Sequence, residues 1–423
     1  NTMIGLADCN NFFVSCERAL DPSLEGRPVV VLSNNDGCAI ARSNEAKRLG
    51  VKMGQPAFQL RYLIESGRLI ALSGNHLLYR EISLRIHEIL RHFAPSTIDY
   101  SVDEAFLDMS GIPDSALPDI GDEIVRECRE KEGIPVTVGF AGTKTLCKIA
   151  TETGKKRDTR VVVLSDRQEI DRLLSTMPIG DLWGIGRRLT KRLYSLGVFT
   201  VGDFAARPKM WVRSRLGVNG EKSWREIHGE NSIELDFKQR ELQDSISESR
   251  TFPMDIDDFD YIRARIAIYC AHVSKRLRAQ GGECGRITVF LRGNRFHTEK
   301  GYEAPAGSVD FEERVSDEPT IANAAIAILT RIFRPGALYK RAGVILSDIA
   351  AARCGEPGLF DDLEHIEDRK KSLRLMKAID TLNPGVGPHV VKLASQLTIG
   401  HLGHNDGYSS SFGAPLPDGG SSF

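Results

Sequence analysis

The chain has 423 residues, 27% of them charged and 41% hydrophobic, with a formal net charge of −1. It is too long for one core, is not uniformly basic, and has no apolar run near the ~20 residues that span a bilayer. Its eight cysteines (9, 16, 38, 128, 147, 270, 284 and 354) form no C-x-x-C pair and have no His at zinc spacing. They read as reduced thiols of a cytosolic protein, and the start lacks a signal-peptide pattern.

Residues 3–7 form a strand that runs into Asp8, and 12–20 form a helix. Residues 28–32 are a buried strand, stopped by the turn-prone Ser33-Asn34-Asn35-Asp36-Gly37. Over 75–93, Leu77, Leu78, Ile82, Ile86, Ile89 and Leu90 recur at helical spacing, an amphipathic helix. Strands follow at 97–102 and 104–109, a helix near 118–131 and a strand at 135–141. With 21–71 removed as a small separate lobe, the order is β-α-β-β-α-β, the ferredoxin-like arrangement.

Asp103 and Glu104 are adjacent acids inside an apolar, β-prone run, costly unless something positive neutralises them. Neighbouring strand side chains alternate faces, so both face one ion most easily at a strand edge or hairpin tip. In the ferredoxin-like order the first and third strands are neighbours, so Asp8 can meet this pair. Together they make an oxygen cage suited to Mg²⁺. Read alone, the pair serves equally as a hairpin turn and Asp8 as a cap.

From Lys144 to Arg225 there are 18 Lys/Arg against 8 Asp/Glu. That excess is an electrostatic footprint for a polyanion, or a solvated surface balanced elsewhere. Residues 166–235 are mainly helical, interrupted by Trp183-Gly184-Ile185-Gly186-Arg187-Arg188 and Leu196-Gly197-Val198. This is a helix-hairpin-helix pattern, whose Gly-bearing turn opens a helix with free N–H groups for a phosphate. Such turns also join helices without any ligand; Arg187, Arg188, Lys191 and Arg192 favour DNA.

Residues 230–248 read as a polar linker. A second α/β domain follows, with helices at 261–278 and 321–333 and strands at 286–291 and 342–346. Arg286, Thr288 and Arg292 share parity, as a phosphate-facing or merely solvated sheet face requires. A helix lies near 365–380, and 404–423, rich in Gly and Ser, reads as disordered.

Four blocks in order resemble the Y-family translesion DNA polymerases. They are Asp8 with Phe12-Phe13, Tyr-Ser-Val-Asp-Glu-Ala-Phe, Val-Gly-Phe-Ala…Lys-Thr-Leu-Cys-Lys-Ile-Ala, and Trp-Gly-Ile-Gly. The segment from Ser33 to Arg42, with Glu45-Ala46-Lys47, is similar to the UmuC branch, that of the catalytic subunit of bacterial DNA polymerase V. The resemblance implies an α+β multidomain right-hand polymerase with a ferredoxin-like palm (3–20 and 72–165), small fingers (21–71), a helix-hairpin-helix thumb (166–235) and an α/β little finger (240–348). A C-terminal extension, 349–423, would be partly disordered.

It further implies error-prone, template-directed synthesis past damaged bases in DNA repair and the SOS response. Two Mg²⁺ ions, replaceable by Mn²⁺, would be held by Asp8, Asp103, Glu104 and the main-chain oxygen of Cys9. One lowers the pKa of the primer 3′-hydroxyl; the other balances charge on pyrophosphate. Phe13 takes the steric-gate position that excludes a 2′-hydroxyl, Phe12 being the more core-like of the two. Ile40 covers the nascent pair. Lys47 and Lys155 match triphosphate-holding positions, with Lys47 where many members carry Arg and Asn44 where relatives often carry Tyr.

Gly184, Gly186, Arg187, Arg188, Arg286 and Arg292 are the implied DNA contacts. Leu359 and Phe360 match the end of a sliding-clamp peptide, although Glu356 stands where the family usually has Gln. The extension resembles the part that meets the UmuD′ dimer and RecA. The implied location is the bacterial cytoplasm, at the nucleoid and away from membranes. Two other readings are a standalone DinB-like polymerase, against which the extension speaks, and an inactive DNA-binding scaffold, against which the three acids speak.

Overall fold

The computed structural model describes residues 3–33, 37–233, 242–294, 303–352, 363–383 and 391. They fall into two units, one up to residue 233 and one from 242. In the first, β1 (Ile4–Cys9) leads into α1 (Phe12–Leu20). Then come β2 (Val29–Leu32), β3 (Ala39–Arg42), α2 (Asn44–Arg48), α3 (Arg61–Glu65) and β4 (Ile70–Ser73). They are followed by α4 (His76–Arg91), β5 (Thr97–Asp99), β6 (Glu104–Asp108), α5 (Leu117–Glu132), β7 (Val136–Ala141), α6 (Lys144–Arg157) and β8 (Val161–Leu164). Four helices close the unit: α7 (Arg167–Thr176), α8 (Arg187–Ser195), α9 (Val201–Ala205) and α10 (Lys209–Ile227).

The large sheet has the order β5-β6-β1-β7-β8. Its first four strands, with α4 and α5, form the ferredoxin-like unit expected from the sequence; β8 adds a parallel edge to β7. Strand β1 is antiparallel to both neighbours and buried along its length. Both of its faces are covered, which is why it carries an apolar run rather than an alternation. Ala7 and Cys9 join a core with α4 and α5, while Ile4 and Leu6 meet Leu146, Ile149 and Ala150 of α6. Gly139 on β7 permits the close seating of α6: a Cβ there would stand 2.7 Å from the Cys147 carbonyl oxygen.

The expected strand at 97–102 is only three residues long. Tyr100 and Ser101 turn instead, both donating their N–H to the Glu104 carbonyl at 3.0 Å. Asp103 therefore lies in the turn and Glu104 opens β6.

The inserted lobe has a β3-β2-β4 sheet, with β4 parallel to β2 and running to Ser73. It is not separate. Alternation sends Val30 and Leu32 into its own small core, while Val29 and Val31 join the core of the large sheet. The helical segment is tied to α6 by the buried Glu226, whose carboxylate accepts from the Thr145 N–H at 3.1 Å. The Thr143 hydroxyl donates to the Glu226 carbonyl at 2.9 Å.

The second unit runs β9 (Ser245–Ile256), α11 (Phe259–Ala279), β10 (Gly282–Arg292), β11 (Ala306–Val315), α12 (Glu318–Ile332), β12 (Tyr339–Ala351) and α13 (Leu363–Leu382). Its antiparallel sheet has the order β11-β10-β12-β9, with α11 and α12 packed against one face. Where a linker to residue 248 is expected, strand β9 already begins at Ser245. The expected helix near 365–380 is α13, and it docks within this unit. Met376 is buried, and Arg278 holds Asp380 through two hydrogen bonds at 2.7 and 2.6 Å.

Candidate active site

Asp8 and Glu104 are direct cross-strand partners at the end of β1 and the start of β6. Both share parity with residues that face α6, Leu6 on β1 and Phe106 on β6. Helix α6 answers with two lysines seven residues apart, two turns along one face. The ammonium of Lys155 donates to Asp8 Oδ2 at 2.7 Å, and that of Lys148 to both Glu104 oxygens at 2.7 and 2.9 Å. Asp103 reaches the same place from the turn. Its carbonyl accepts the Cys9 N–H at 2.8 Å, and its Oδ1 accepts the Ser101 hydroxyl at 2.6 Å.

Burial pushes the Asp8 carboxyl up to about 7; Lys155 opposes that rise and Glu104 adds to it. Lys155, despite its own burial, is raised by Asp8. Burial drives the Cys9 thiol well up, so the neutral thiol is a poor metal ligand and only its main-chain oxygen is available.

Among the described residues, no three His, Cys, Asp or Glu side chains are gathered as an ion-ready cage. Each acid is instead engaged by a lysine or a hydroxyl. The chemistry of the donor set nonetheless suits a hard cation. Two carboxylates face each other in a poorly solvated sheet end, with a third beside them.

All three acids line one cleft of about 320 Å³, together with Phe13, Ile40, Lys47 and Lys155. Phe12 and Cys9 reach it from largely buried positions. The Phe13 ring stacks on Tyr79 at 4.5 Å between centroids, 18° from parallel. The Tyr79 hydroxyl donates to the buried Glu17 at 2.5 Å, which fixes the platform beneath Phe13. Lys47 donates to Asn11 Oδ1 at 2.7 Å, and the Asn11 amide donates to Asn44 at 3.1 Å. Burial, then Arg42 and Lys155, hold the Lys47 pKa down. Asn11 is left-handed at φ 50° and places no side-chain cap on α1, so the first-turn N–H groups of α1 lack the usual cap among the described residues.

Sequence reasoning missed Lys148, Tyr79, Arg42 and Met53, the last two also lining the cleft. Lys148 had a signal, the spacing of seven from Lys155. Its ammonium also lies 4.9 Å from the Tyr100 ring and 5.4 Å from that of Trp183. The Trp-Gly-Ile-Gly turn thus touches the acids' own counter-ion.

In that turn Gly184 takes φ +89°, a left-handed conformation suited to glycine, and Gly186 begins α8 without a side-chain cap. Arg187 and Arg188 are exposed beside it. The second unit differs from expectation. Arg286 and Arg292 do share the open face of β10, but Asp310 holds Arg286 by two contacts. Arg292 donates to the carbonyls of Leu291 and Ala304, both at 2.9 Å. Both arginines are thus partly engaged within their own sheet. Leu359 and Phe360 lie outside the described residues.

Residues 7–152 match the profile of the impB/mucB/samB family, 243–357 that of the family's C-terminal domain, and 167–198 its HHH motif. The chain is 36% identical to protein ImpB of Salmonella typhimurium over 90% of both chains. It is 35% identical to protein UmuC of Salmonella typhimurium over 93% of both. DNA polymerase IV of Moorella thermoacetica is 30% identical over 93% of this chain and 96% of that one. A Y-family DNA polymerase chimera of Dbh and Dpo4 superposes with a TM-score of 0.69 at 24% identity, covering 82% of this chain and 99% of the chimera. That likeness fixes the fold as the mixed α/β, right-hand polymerase type.

Proposed function

The chain belongs to the impB/mucB/samB family of UmuC-type Y-family polymerases, and from that membership we propose how the palm of this DNA-directed DNA polymerase performs translesion synthesis. The observation that carries the proposal is the register pairing of Asp8 with Glu104 in a cleft shared with Asp103, Phe13 and two lysines. Asp8, Asp103, Glu104 and the Cys9 main-chain oxygen would hold two divalent cations, Mg²⁺ or Mn²⁺, which would supply Lewis acidity to the primer hydroxyl and charge balance to the leaving group.

The remaining work belongs to the chain's own groups. The primer 3′-oxygen attacks the α-phosphorus, the bond to the β-bridging oxygen breaks with its electron pair leaving on pyrophosphate, and the hydroxyl proton passes to water. Lys155 and Lys47, with Asn44 and the N–H groups that open α1, hold the triphosphate in line. Lys155, which donates to Asp8 here, would turn its ammonium to the phosphates once Asp8 held a cation. The Phe13 ring, backed by Tyr79, fills the space of a 2′-hydroxyl, and Ile40 covers the new pair. The turn at Gly184 and Gly186 grips the DNA backbone through Arg187 and Arg188. Arg286 and Arg292 join only if DNA displaces their internal partners.

The clamp contact through Leu359 and Phe360, and partners such as UmuD′ and RecA at the extension, belong to the same reading. Exposed Leu373, Leu375 and Leu382 on α13 support an apolar partner there. Replacing Leu359 and Phe360 by Ala should abolish clamp-stimulated synthesis, and no change would remove the clamp contact. The site of action is the bacterial cytoplasm, at the nucleoid, and the free thiols of the seven described cysteines are consistent with a reducing compartment.

Primer extension opposite an abasic site in Mg²⁺ tests the assignment. Wild type extends while Asp103→Ala and Glu104→Ala do not. Equal extension by all three contradicts it.

A further inference from the structure

A second and larger cleft, about 570 Å³, opens at the same end of the palm sheet. It shares Asn11, Lys47, Glu152 and Lys155 with the acid-lined cleft, so the two are continuous. Six cations line it: Arg18, Lys47, Arg129, Lys155, Lys156 and Arg160. Three acids also line it, but Glu25 is held by Arg18 and Glu152 by Lys155, leaving Asp158.

The cations are not equivalent. Arg18 is locked by Glu45 at 2.9 Å and by the carbonyls of Leu24 and Arg27. Lys156 pairs with Asp181 at 3.0 Å. Arg129 and Arg160 are exposed and make no ion pair with a described residue, so both guanidinium forks are free for an anion. Arg129 lies in the last turn of α5, where any cation is favoured; Arg160 opens onto β8 outside any helix and has no such reason.

We infer that this second cleft is a departure subsite for inorganic pyrophosphate, entered past Lys47 and Lys155 and completed by Arg129 and Arg160. The inference rests on the polymerase reading. Each turnover leaves a polyanion beside Lys155, which lines both clefts. Arg129 and Arg160 line this chamber but not the acid-lined cleft, and they give the product two unpaired cations beyond the groups that hold the incoming triphosphate.

Inhibition of primer extension by pyrophosphate, and the reverse reaction, pyrophosphorolysis, both read this subsite. In the full-length protein, Arg129→Gln with Arg160→Gln should raise the pyrophosphate inhibition constant about three- to tenfold and slow pyrophosphorolysis in proportion. The deoxynucleotide KM should move by a clearly smaller factor. An inhibition constant within about twofold of wild type overturns the subsite and leaves the polymerase reading intact. Equal shifts in both constants also overturn it, because the arginines would then serve the incoming triphosphate. If neither protein extends a primer, the polymerase reading fails. Calorimetric titration with Mg²⁺-pyrophosphate then decides the subsite alone: binding lost in the double variant upholds an anion site, and equal binding removes it.

Discussion

The palm and the second unit share a β-α-β-β-α-β order, yet their charges are used in opposite ways. In the palm, Asp8 is nearly buried at the end of a central strand, with its counter-ion, Lys155, delivered by a helix across the sheet. In the second unit, Arg286 and Asp310 sit on adjacent strands of an open face, where both remain mostly in water. A buried charge is costly enough that its partner must be specified, whereas an exposed pair contributes little. The same topology therefore carries a buried charge pair at one sheet end and a solvated one on an open face.

The largest expected effect tests that contrast directly. Glu104→Ala should lower single-nucleotide insertion by about 10²–10³ or more, because stabilisation of developing charge dominates this chemistry. Arg286→Ala should change it only a few fold. Comparable losses would erase the distinction between the two sheets.

Next comes Lys148, whose removal leaves Glu104 without its ammonium and takes the cation from between Tyr100 and Trp183. Lys148→Ala should slow single-turnover insertion about tenfold while tightening Mn²⁺ binding, because a competing cation leaves Glu104, and Lys148→Arg should restore part of both. A variant equal to wild type in both measurements would show that the lysine only fills space.

Phe13→Ala should raise ribonucleotide incorporation about a hundredfold, and Tyr79→Ala about tenfold, by loosening the platform under the ring. Unchanged sugar discrimination in Phe13→Ala would place the gate elsewhere.

The smallest effect is on stability. With Asp8 pushed up to about 7, the folded protein keeps a proton that the unfolded chain releases near the ordinary carboxylate value. Between those values unfolding free energy falls as pH rises, and above about 7 the loss is complete. Melting in chelator should therefore show a midpoint declining from pH 5 to 7, flattened in Asp8→Asn and offset by Mn²⁺ more at pH 8 than at pH 6. A flat wild-type profile would mean that Asp8 ionises freely in the fold.

Much of the palm was legible because its central strands are apolar runs. The meeting of Asp8 with Glu104 followed once the strand order was read. The strands that escaped the sequence reading, β3, β4, β8, β9 and β11, are all sheet edges. Edges are short or polar, as in Ser-Val-Asp-Phe-Glu-Glu on β11, and β9 even carries Pro253. In the site, single residues with a chemical signature stood out, such as the acids and Phe13. Lys148 and Tyr79 did not, because each matters through a partner distant in the chain: Glu104 for one, Phe13 and Glu17 for the other. The arginines of β10 show the same limit, since parity shows which face a side chain takes and not which neighbour it pairs with.

Crystals of the protein with Mn²⁺, primer–template DNA and a non-hydrolysable deoxynucleotide would expose the acids to the ions proposed for them. Two anomalous peaks bounded by Asp8, Asp103 and Glu104, with the Lys155 ammonium moved from Asp8 to the phosphates, are the expected result. Ordered DNA and nucleotide with no peak among those carboxylates, or with Lys155 still on Asp8, would contradict it.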